Sequence, residues 1–355
     1  MLPPETSALR EGAALVEHDD LARLRLTGPG AFDVLDAVLA RNTPLRPGRA
    51  APGLLLRDDG RVLADLLLCG EEHGALVLAE GLSTAALREH LQSTRPARAV
   101  TYDDLSASHA HVAVHGPFAW EVVGALAGPD VFAAPFHTSF QLEEIAGAGI
   151  RTGKLGEYAY DLLVPRSDEP TLRAVLHHFA GSHGLTTLSR PTLALAALEH
   201  GSFSLALPGA AALTPVELQL QSRLDYTRDA PGMSALRDLR ARGAPGRITW
   251  FFGHGAPDMV PETGSAFLLG DHPAGRVVDA AWSPALDGVV GTALLPRPLA
   301  HAGLPAHWLA ADGRRRPART VGPPLLNNRS LIVHPLQHTH AERARIAFPP
   351  LSRLA

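Results

Sequence analysis

The sequence predicts an α+β fold that is followed by a separate all-β domain. Segments with strand alternation and segments with helical spacing follow one another through residues 1–242. From Gly243 onwards the chain becomes rich in Gly and Pro and carries short apolar runs that are typical of strands. At 355 residues the chain is also longer than one ordinary domain. We therefore expect an α+β region at residues 1–242 and an all-β domain at residues 243–355.

Helices are predicted where apolar side chains recur with a period of about 3.6 residues. A Gly-Pro-Gly break at residues 28–30 ends a first strand at residues 21–27 and precedes the first helix. The predicted helices cover residues 31–40, 84–92, 119–127, 171–180 and 193–200. Further strands are expected at residues 75–79 and 111–115, within 149–165, and at 247–252, 266–269, 275–280 and 289–294. The basic, Pro-rich residues 313–324 are predicted to form a surface loop.

A β-hairpin is the clearest local prediction, and it carries an aspartate inside an apolar strand. Two apolar runs, residues 54–56 and 62–68, flank Asp59-Gly60, a dipeptide that is typical of tight hairpin turns. Asp65 lies within the second run, although aspartate is depleted in strands. A half-buried carboxylate without a partner would have a desolvation cost and a raised pKa. Two interpretations stay open: a functional carboxylate, or a strand residue that accepts backbone hydrogen bonds.

The composition argues against several classes of protein. The formal net charge is −4 and no basic run is interleaved with aromatic residues, which argues against a nucleic-acid-binding protein. No apolar stretch reaches about 18 residues, so we expect no membrane span. The single cysteine, Cys69, excludes an internal disulfide and favours a reducing compartment, so we expect a cytoplasmic protein. Cys69 follows an apolar run and is interpreted as a buried small hydrophobe.

The 18 histidines raise the question of a metal site. The densest cluster lies near the end of the chain and consists of His334, His338, His340 and Glu342. Pro335 opposes the helix that would bring the first two histidines onto one face. A second group alternates along one predicted strand, where a satisfied surface face is the simpler interpretation: His109, His111 and His115. We therefore expect no metal site, and the absence of a Gly-x-Ser-x-Gly motif argues against a serine hydrolase.

Several short motifs follow one another in an informative order. The most specific is Arg-Thr-Gly-Lys-Leu-Gly-Glu-Tyr-Ala-Tyr-Asp-Leu at residues 151–162. The hairpin that ends in Leu-Ala-Asp-Leu at residues 63–66 precedes it. Other matching segments lie at residues 26–29, 114–117, 198–201, 214–217, 275–278, 282–286 and 291–294. Together they resemble the aminomethyltransferase family, which comprises the T-protein of the glycine cleavage system and its folate-binding relatives. The family hairpin typically ends in two aspartates, of which Asp65 matches the second.

The resemblance implies a three-part fold around a central folate channel, with two interleaved subdomains before residue 242 and a C-terminal β-barrel. It implies tetrahydrofolate as the cofactor and a one-carbon transfer to or from the folate nitrogens. Glu199 would orient the pterin, whose adjacent N–H donors suit a bidentate carboxylate. Asp65 would contact the folate and be the catalytic residue, because a carboxylate near the reacting nitrogen can take or give a proton or stabilise an iminium cation.

Other residues of the matching motifs have both a binding and a structural interpretation. Arg223 would meet the glutamate tail of the folate, because cationic side chains bind carboxylates well, or would lie on the solvated surface. Arg151 would contact the cofactor or serve the shape of the channel. Tyr158 would line the channel or belong to the core. Gly153 and Gly156 are expected to set a backbone turn.

Two functions are compatible with these observations. The first is a tetrahydrofolate-dependent transferase of a methyl, methylene or aminomethyl group, acting on a small molecule in a specialised pathway. The second is a non-catalytic folate-binding or assembly protein that keeps the fold. Lost channel residues favour the second: Pro52 stands where an aromatic residue is usual, and the polar side chain that is usual near Ala79 is absent. Two further departures distinguish the chain from a T-protein: Ala64 replaces an aspartate, and residues 193–197 replace an Arg-Asp pair. Folate and a small-molecule substrate are the expected partners, and the sequence identifies no carrier protein.

Overall fold

The computed structural model describes residues 2–42, 44–207, 209–310 and 312–351. The first elements in chain order are α1 (Pro4–Glu11), β1 (Ala14–Glu17), β2 (Ala22–Thr27), α2 (Ala31–Val38), β3 (Ala50–Leu56), β4 (Val62–Glu71), β5 (Gly74–Glu80), α3 (Thr84–Gln92) and β6 (Thr101–Asp104). The next are β7 (His109–His115), α4 (Ala119–Ala127), β8 (Ser139–Gln141), β9 (Ala148–Thr152), β10 (Ala159–Pro165), α5 (Glu169–His183), β11 (Thr186–Thr187), α6 (Arg190–His200) and α7 (Met233–Arg242). The last are β12 (Gly246–Gly253), β13 (Ala266–Leu269), β14 (His272–Ser283), β15 (Gly288–Pro296), β16 (Pro305–Leu309) and β17 (Arg315–Val321).

The first sheet has the strand order β11-β1-β7-β10-β9-β8. Helices α4 and α5 cover one face, where Val122, Leu126 and Leu172 are fully buried. Helices α1 and α6 pack against part of the other face through Leu9 and Ala197. The chain leaves this sheet after β1 and returns to it only at β7, so the second sheet is inserted between two neighbouring strands of the first.

The second sheet has the strand order β3-β4-β5-β2-β6 and packs one face against α2 and α3. The predicted hairpin is confirmed, since β3 and β4 pair in antiparallel register with Leu54 opposite Asp65. Gly60 has φ +83° at the turn, a conformation that glycine adopts without steric cost. A register irregularity at Leu55 and Leu56 separates the turn from the regular part of the hairpin.

The third part is a closed barrel with the strand order β12-β15-β14-β13-β16-β17. Its interior holds fully buried aromatic side chains, among them Phe251, Phe267 and Trp308. The prediction of a surface loop at residues 313–324 is wrong for β17, which pairs with β12 and with β16 and thereby closes the barrel. Its composition is that of a loop, but strand partners on both sides override a weak intrinsic preference. Two sheets and a barrel confirm the predicted three-part α+β fold.

The segment after the barrel returns to the α+β region. Arg329 Nη1 donates to Glu11 Oε1 at 2.7 Å, and the His340 amide donates to Glu121 Oε1 at 2.7 Å. The segment after the barrel therefore contacts the α+β region, although the prediction assigns it to the C-terminal domain. The predicted boundary at residue 242 stays a prediction. Among the described residues, no helix has the length and apolar character to cross a membrane.

Candidate functional site

A cavity of about 550 Å³, hereafter the central cavity, has walls from both sheets, from α6 and from residues 201–223. The first sheet contributes His111 and Asp161, and the second contributes Asp65 and Glu80. Its size lies within the range of about 300–1,000 Å³ that is typical of small-molecule sites. Apolar walls with a few converging charged groups are also typical of such sites.

Asp65 lies in the wall of the central cavity and is 8% exposed. Its Oδ1 accepts a hydrogen bond from Arg223 Nη1 at 2.6 Å, and its Oδ2 accepts one from Lys154 Nζ at 2.9 Å. The sequence expectation rested on a carboxylate without a partner, and that premise is wrong because two cations hold it. Their attraction offsets part of the desolvation cost of placing aspartate inside an apolar strand.

Lys154 joins Asp65 to a second carboxylate, Glu80. Its Nζ donates to Glu80 Oε2 at 2.7 Å, while Glu80 Oε1 accepts from Ser204 Oγ at 2.6 Å. Desolvation alone would lower the pKa of Lys154, but the two carboxylates outweigh it and raise this pKa above the ordinary lysine value. The ammonium is therefore charged at neutral pH and does not act as a nucleophile.

Sequence reasoning missed both Lys154 and Glu80. A signal for Lys154 was available, because it is the only lysine in 355 residues and it lies inside the most specific motif. Glu80 ends β5, and its place opposite Asp65 follows from the strand register rather than from any motif. Gly156 closes the turn that carries Lys154, with φ +88° and an amide that donates to the Gly153 carbonyl at 2.9 Å.

Arg223 reaches the central cavity from a short 3₁₀ turn, with about a quarter of its side chain exposed. Its bond to Asp65 places it at the site rather than on the solvated surface. Its predicted contact with a folate tail stays a prediction. The fold thus brings together Asp65 and Arg223, which lie 158 residues apart in the sequence.

Glu199 lies elsewhere than the sequence analysis expected and is not among the described residues that line the central cavity. It is buried at the end of α6, where its Oε2 accepts from Arg10 Nη2 at 2.8 Å. Its Oε1 accepts from Ser283 Oγ of the barrel at 2.6 Å. Both oxygens therefore accept bonds that join α1, α6 and β14, and the predicted contact of Glu199 with a pterin stays a prediction.

Arg10 is the centre of this buried network. It is fully buried, and its Nη1 also lies 3.3 Å from Glu157 Oε1. Glu157 Oε2 in turn accepts from the Ser330 hydroxyl at 2.6 Å, which ties the segment after the barrel to the first sheet. Glu157 thus has a structural role. The network joins the first sheet and its helices to the barrel and to the segment after the barrel.

Arg151 and Tyr158 also lie away from the described walls of the central cavity. The guanidinium of Arg151 stacks over the rings of Tyr158 and Tyr160, at 4.6 Å and 4.7 Å from their centroids. Its Nη1 donates to the Ala159 carbonyl at 3.0 Å. These contacts stabilise the β9–β10 pair on the side that faces α4 and the core. The structure therefore does not bring Arg151 or Tyr158 to the central cavity.

A histidine cluster forms another part of the cavity wall. His111 Nε2 lies 2.9 Å from Asp161 Oδ1, and His18 Nε2 lies 3.6 Å from the same oxygen. Burial, together with the neighbouring His111 and His115, lowers the pKa of His18 to about 3, and burial lowers that of His115 to about 4. Burial on its own raises the pKa of Asp161, but hydrogen bonds from His111 and Thr152 lower it overall. The imidazoles of His18 and His115 are therefore neutral near neutral pH, and the Asp161 carboxylate is ionised.

Comparison with known proteins identifies the family. Residues 2–228 match the family model described as the GCVT N-terminal domain. The chain belongs to this family. It is 28% identical over 345 residues to the aminomethyltransferase of Parasynechococcus marenigrum, covering 90% of this chain and 89% of that protein. It is 25% identical over 331 residues to the aminomethyltransferase of Streptomyces coelicolor, with 90% and 88% covered.

Other comparisons are more partial or concern the fold alone. The match to the aminomethyltransferase of Saccharopolyspora erythraea is 29% identical over 187 residues and spans about half of each protein, 51% and 50%. The glycine cleavage system aminomethyltransferase T from Bartonella henselae is similar in structure, with a TM-score of 0.73 at 18% identity, covering 90% and 88% of the two chains. The aminomethyltransferase resemblance and the fold predicted from it are confirmed.

Within this family fold the structure separates the predicted site residues into two groups. Asp65 and Arg223 lie together in the wall of the central cavity, with Lys154 and Glu80 beside them. The others are packed into the structural contacts described above: Glu199, Arg151 and Tyr158. The cavity therefore presents a compact group of two carboxylates and two cations.

Proposed function

We propose that this protein is a tetrahydrofolate-dependent one-carbon transferase that acts on a small molecule in the central cavity, with Asp65 at the reaction centre. Membership of the family supports a transferase of this general kind. The observation that carries the proposal is the position of Asp65, a buried carboxylate in the wall of a cavity of about 550 Å³. It stands on the hairpin strand where the family resemblance puts the reacting aspartate.

The charges around the cavity suit the two ends of a folate. Carboxylates such as Asp65 and Glu80 accept hydrogen bonds from the N–H groups of a pterin. Arg190 also lines the cavity and suits the carboxylates of a glutamate tail, whereas Lys154 and Arg223 are bonded to Asp65. When bound, tetrahydrofolate supplies or takes the one-carbon unit through its nitrogens.

Asp65 has two roles in this proposal. It takes a proton from the reacting nitrogen or returns one to it, and its negative charge stabilises positive charge that develops there. Lys154 and Arg223 hold the carboxylate in one orientation. Each oxygen accepts one of these bonds and has a further lone pair, so a substrate nitrogen can reach Asp65 without displacing either cation.

We propose further that the reaction belongs to a specialised pathway outside glycine cleavage. On α6 the cavity is lined by Leu193, Ala194 and Ala197. The family usually has an Arg-Asp pair in this segment, residues 193–197. Pro52 lines it where an aromatic residue is usual. These changes alter the wall against which an acceptor would pack, and they support an acceptor different from that of the T-protein.

The alternative is a non-catalytic folate-binding or assembly protein. The specific observation in its favour is that both Asp65 oxygens already accept hydrogen bonds from cations. In this alternative folate binds, but no small molecule is converted. Binding and turnover therefore have to be measured separately.

Folate binding is tested by calorimetry, in which tetrahydrofolate is titrated into the protein. We expect a saturable heat of binding that gives the affinity. The absence of binding would contradict the proposal.

Turnover then distinguishes the two functions. The protein is incubated with tetrahydrofolate and a panel of small N-methyl and aminomethyl compounds, and the folate products are identified by mass spectrometry. Formation of a one-carbon folate supports the transferase. Folate binding without conversion of any compound in the panel supports the binding protein instead.

A further inference from the structure

Two imidazoles and a carboxylate converge on one point of the cavity wall. His18, His111 and Asp161 each have one potential ligand atom that lies within 4.8 Å of the corresponding atoms of the other two residues. All three residues line the central cavity. The aspartate Oδ1 is shared, at 2.9 Å from His111 Nε2 and 3.6 Å from His18 Nε2.

The backbone that carries these residues is regular and paired. His111 lies in β7. Asp161 lies in the neighbouring β10, where it pairs with Ala113 of β7. His18 directly follows β1, and its amide donates to the His111 carbonyl at 3.0 Å. Two of the side chains therefore come from adjacent strands and the third directly follows the next strand of the same sheet, a support that holds ligand geometry better than mobile loops do.

We propose that His18, His111 and Asp161 form a binding site for a divalent first-row transition metal ion, with the remaining coordination positions open to the central cavity. Imidazole and carboxylate ligands suit zinc, iron or cobalt, whereas magnesium and calcium prefer oxygen ligands alone. Metal–nitrogen bonds of about 2.0–2.1 Å place neighbouring tetrahedral ligands about 3.3 Å apart. The distances from Asp161 Oδ1 to Nε2 of His111 and of His18, 2.9 Å and 3.6 Å, lie on either side of that separation.

The surroundings orient the carboxylate as a ligand. Thr152 Oγ1 donates to Asp161 Oδ2 at 2.7 Å, which leaves Oδ1 for the imidazoles. Outer hydrogen bonds of this kind fix ligating carboxylates in metal sites. The Nε2 atom of His111 faces Asp161, so Nε2 is the ring nitrogen that an ion would bind in place of this hydrogen bond. The His18 side chain is 19% exposed and leaves access from the cavity.

The simpler explanation is a hydrogen-bonded His–Asp pair without a metal, and a cobalt titration separates the two. The full-length protein, freed of any affinity tag and treated with a chelator, is titrated with Co²⁺ and followed by its visible absorption. We expect one equivalent to bind and Zn²⁺ to displace it. His18→Ala and Asp161→Asn should each raise the Kd for Co²⁺ at least about 100-fold, beyond the range of about 10–100-fold for outer-shell changes.

Matched variants test the specificity of the site. His137→Ala removes a cavity histidine outside the cluster and should leave the Kd for Co²⁺ within about twofold of the wild type. Thr152→Val should weaken binding by about 10–100-fold through the carboxylate that it orients. Zn²⁺ should raise the Tm of the wild type but not that of Asp161→Asn, because only a bound ion stabilises the folded state.

Two results would overturn the proposal. One is the absence of stoichiometric Co²⁺ binding by the wild type. The other is binding that survives His18→Ala and Asp161→Asn but is lost in His338→Ala, which would place the ion at the C-terminal histidines. Circular dichroism checks that each variant folds, and His18→Ala carries the test if Asp161→Asn does not. None of these measurements depends on folate or on turnover.

Discussion

Asp65 and Glu80 stand directly opposite each other on strands β4 and β5, and the ammonium of Lys154 bonds to both carboxylates. Like charges directly opposite on neighbouring strands repel each other and destabilise a sheet. One cation between them converts the repulsion into two ion pairs. The cavity therefore keeps two carboxylates side by side because the only lysine of the chain lies between them.

Replacement of Lys154 by Met should destabilise the fold. Because the lysine side chain is 40% exposed, solvent screens part of the effect, and we expect a loss of about 1–2 kcal/mol in the free energy of unfolding. Urea denaturation measures it. The carboxylates raise the pKa of Lys154, so its contribution is complete below the ordinary value of 10.5 and is lost as the pH rises through the folded-state pKa. A gap between wild type and variant that widens at alkaline pH would contradict this origin, and Lys154→Arg should retain most of the stability.

Replacement of Asp65 by Asn should reduce transfer by at least about 100-fold while folate still binds. The amide keeps the size of the side chain but carries no charge and cannot accept a proton. The matched control is Glu80→Gln, which removes the other carboxylate that bonds to Lys154 but leaves Asp65 in place. Steady-state kinetics and calorimetry measure the two effects. Turnover near the wild-type rate in Asp65→Asn would remove Asp65 from the reaction.

Replacement of Glu199 by Gln should affect stability rather than folate affinity. Its carboxylate is bonded to Arg10 and Ser283, and hydrogen bonds that involve a charged group contribute roughly 1.5–3 kcal/mol. We expect a loss of that order in urea denaturation and a change in the Kd for tetrahydrofolate of less than about threefold. The exposed Glu72→Gln is the control for the change in charge. A folded variant that loses folate affinity would instead restore the predicted role of Glu199 at the pterin.

Replacement of Asp279 by Asn should stabilise the protein in a pH-dependent way. Burial raises the pKa of Asp279 to about 6 from an ordinary 3.8, although a hydrogen bond from the Gly209 amide lowers it in part. The unfolded chain therefore ionises first, and stability is lost as the pH rises from about 4 through about 6. Asp279→Asn removes this cost, which is roughly 2–3 kcal/mol at high pH.

Urea denaturation of Asp279→Asn and wild type near pH 4 and near pH 8 tests this expectation. The difference should be small at the lower pH and large at the higher. The control Asp287→Asn makes the same change in charge on an exposed turn. An equal gain for both variants at both values would show that net charge, and not the buried carboxyl, is responsible.

Much of the architecture could be predicted from local patterns. The Asp59-Gly60 turn and the apolar runs around it place Asp65 in a strand, since a hairpin turn sets the register of the strands that it joins. Strand β17 could not be predicted, because its Arg- and Pro-rich sequence forms a strand only between two partner strands. The partner β16 ends 6 residues before β17, and the partner β12 ends 62 residues before it. Helix α1 is short and largely polar, and it too was missed.

The sequence by itself determined the family, the three-part fold and the strand that carries Asp65, because these depend on periodicity, turn residues and short motifs. Only the tertiary structure decided which charges meet. Arg223 lies 158 residues from Asp65, and Arg10 lies 189 residues from Glu199, so neither pairing leaves a local signal. A carboxylate has the same preference for any nearby cation, and the packing of distant elements chooses the partner. That choice put Asp65 in the cavity and Glu199 in a structural joint.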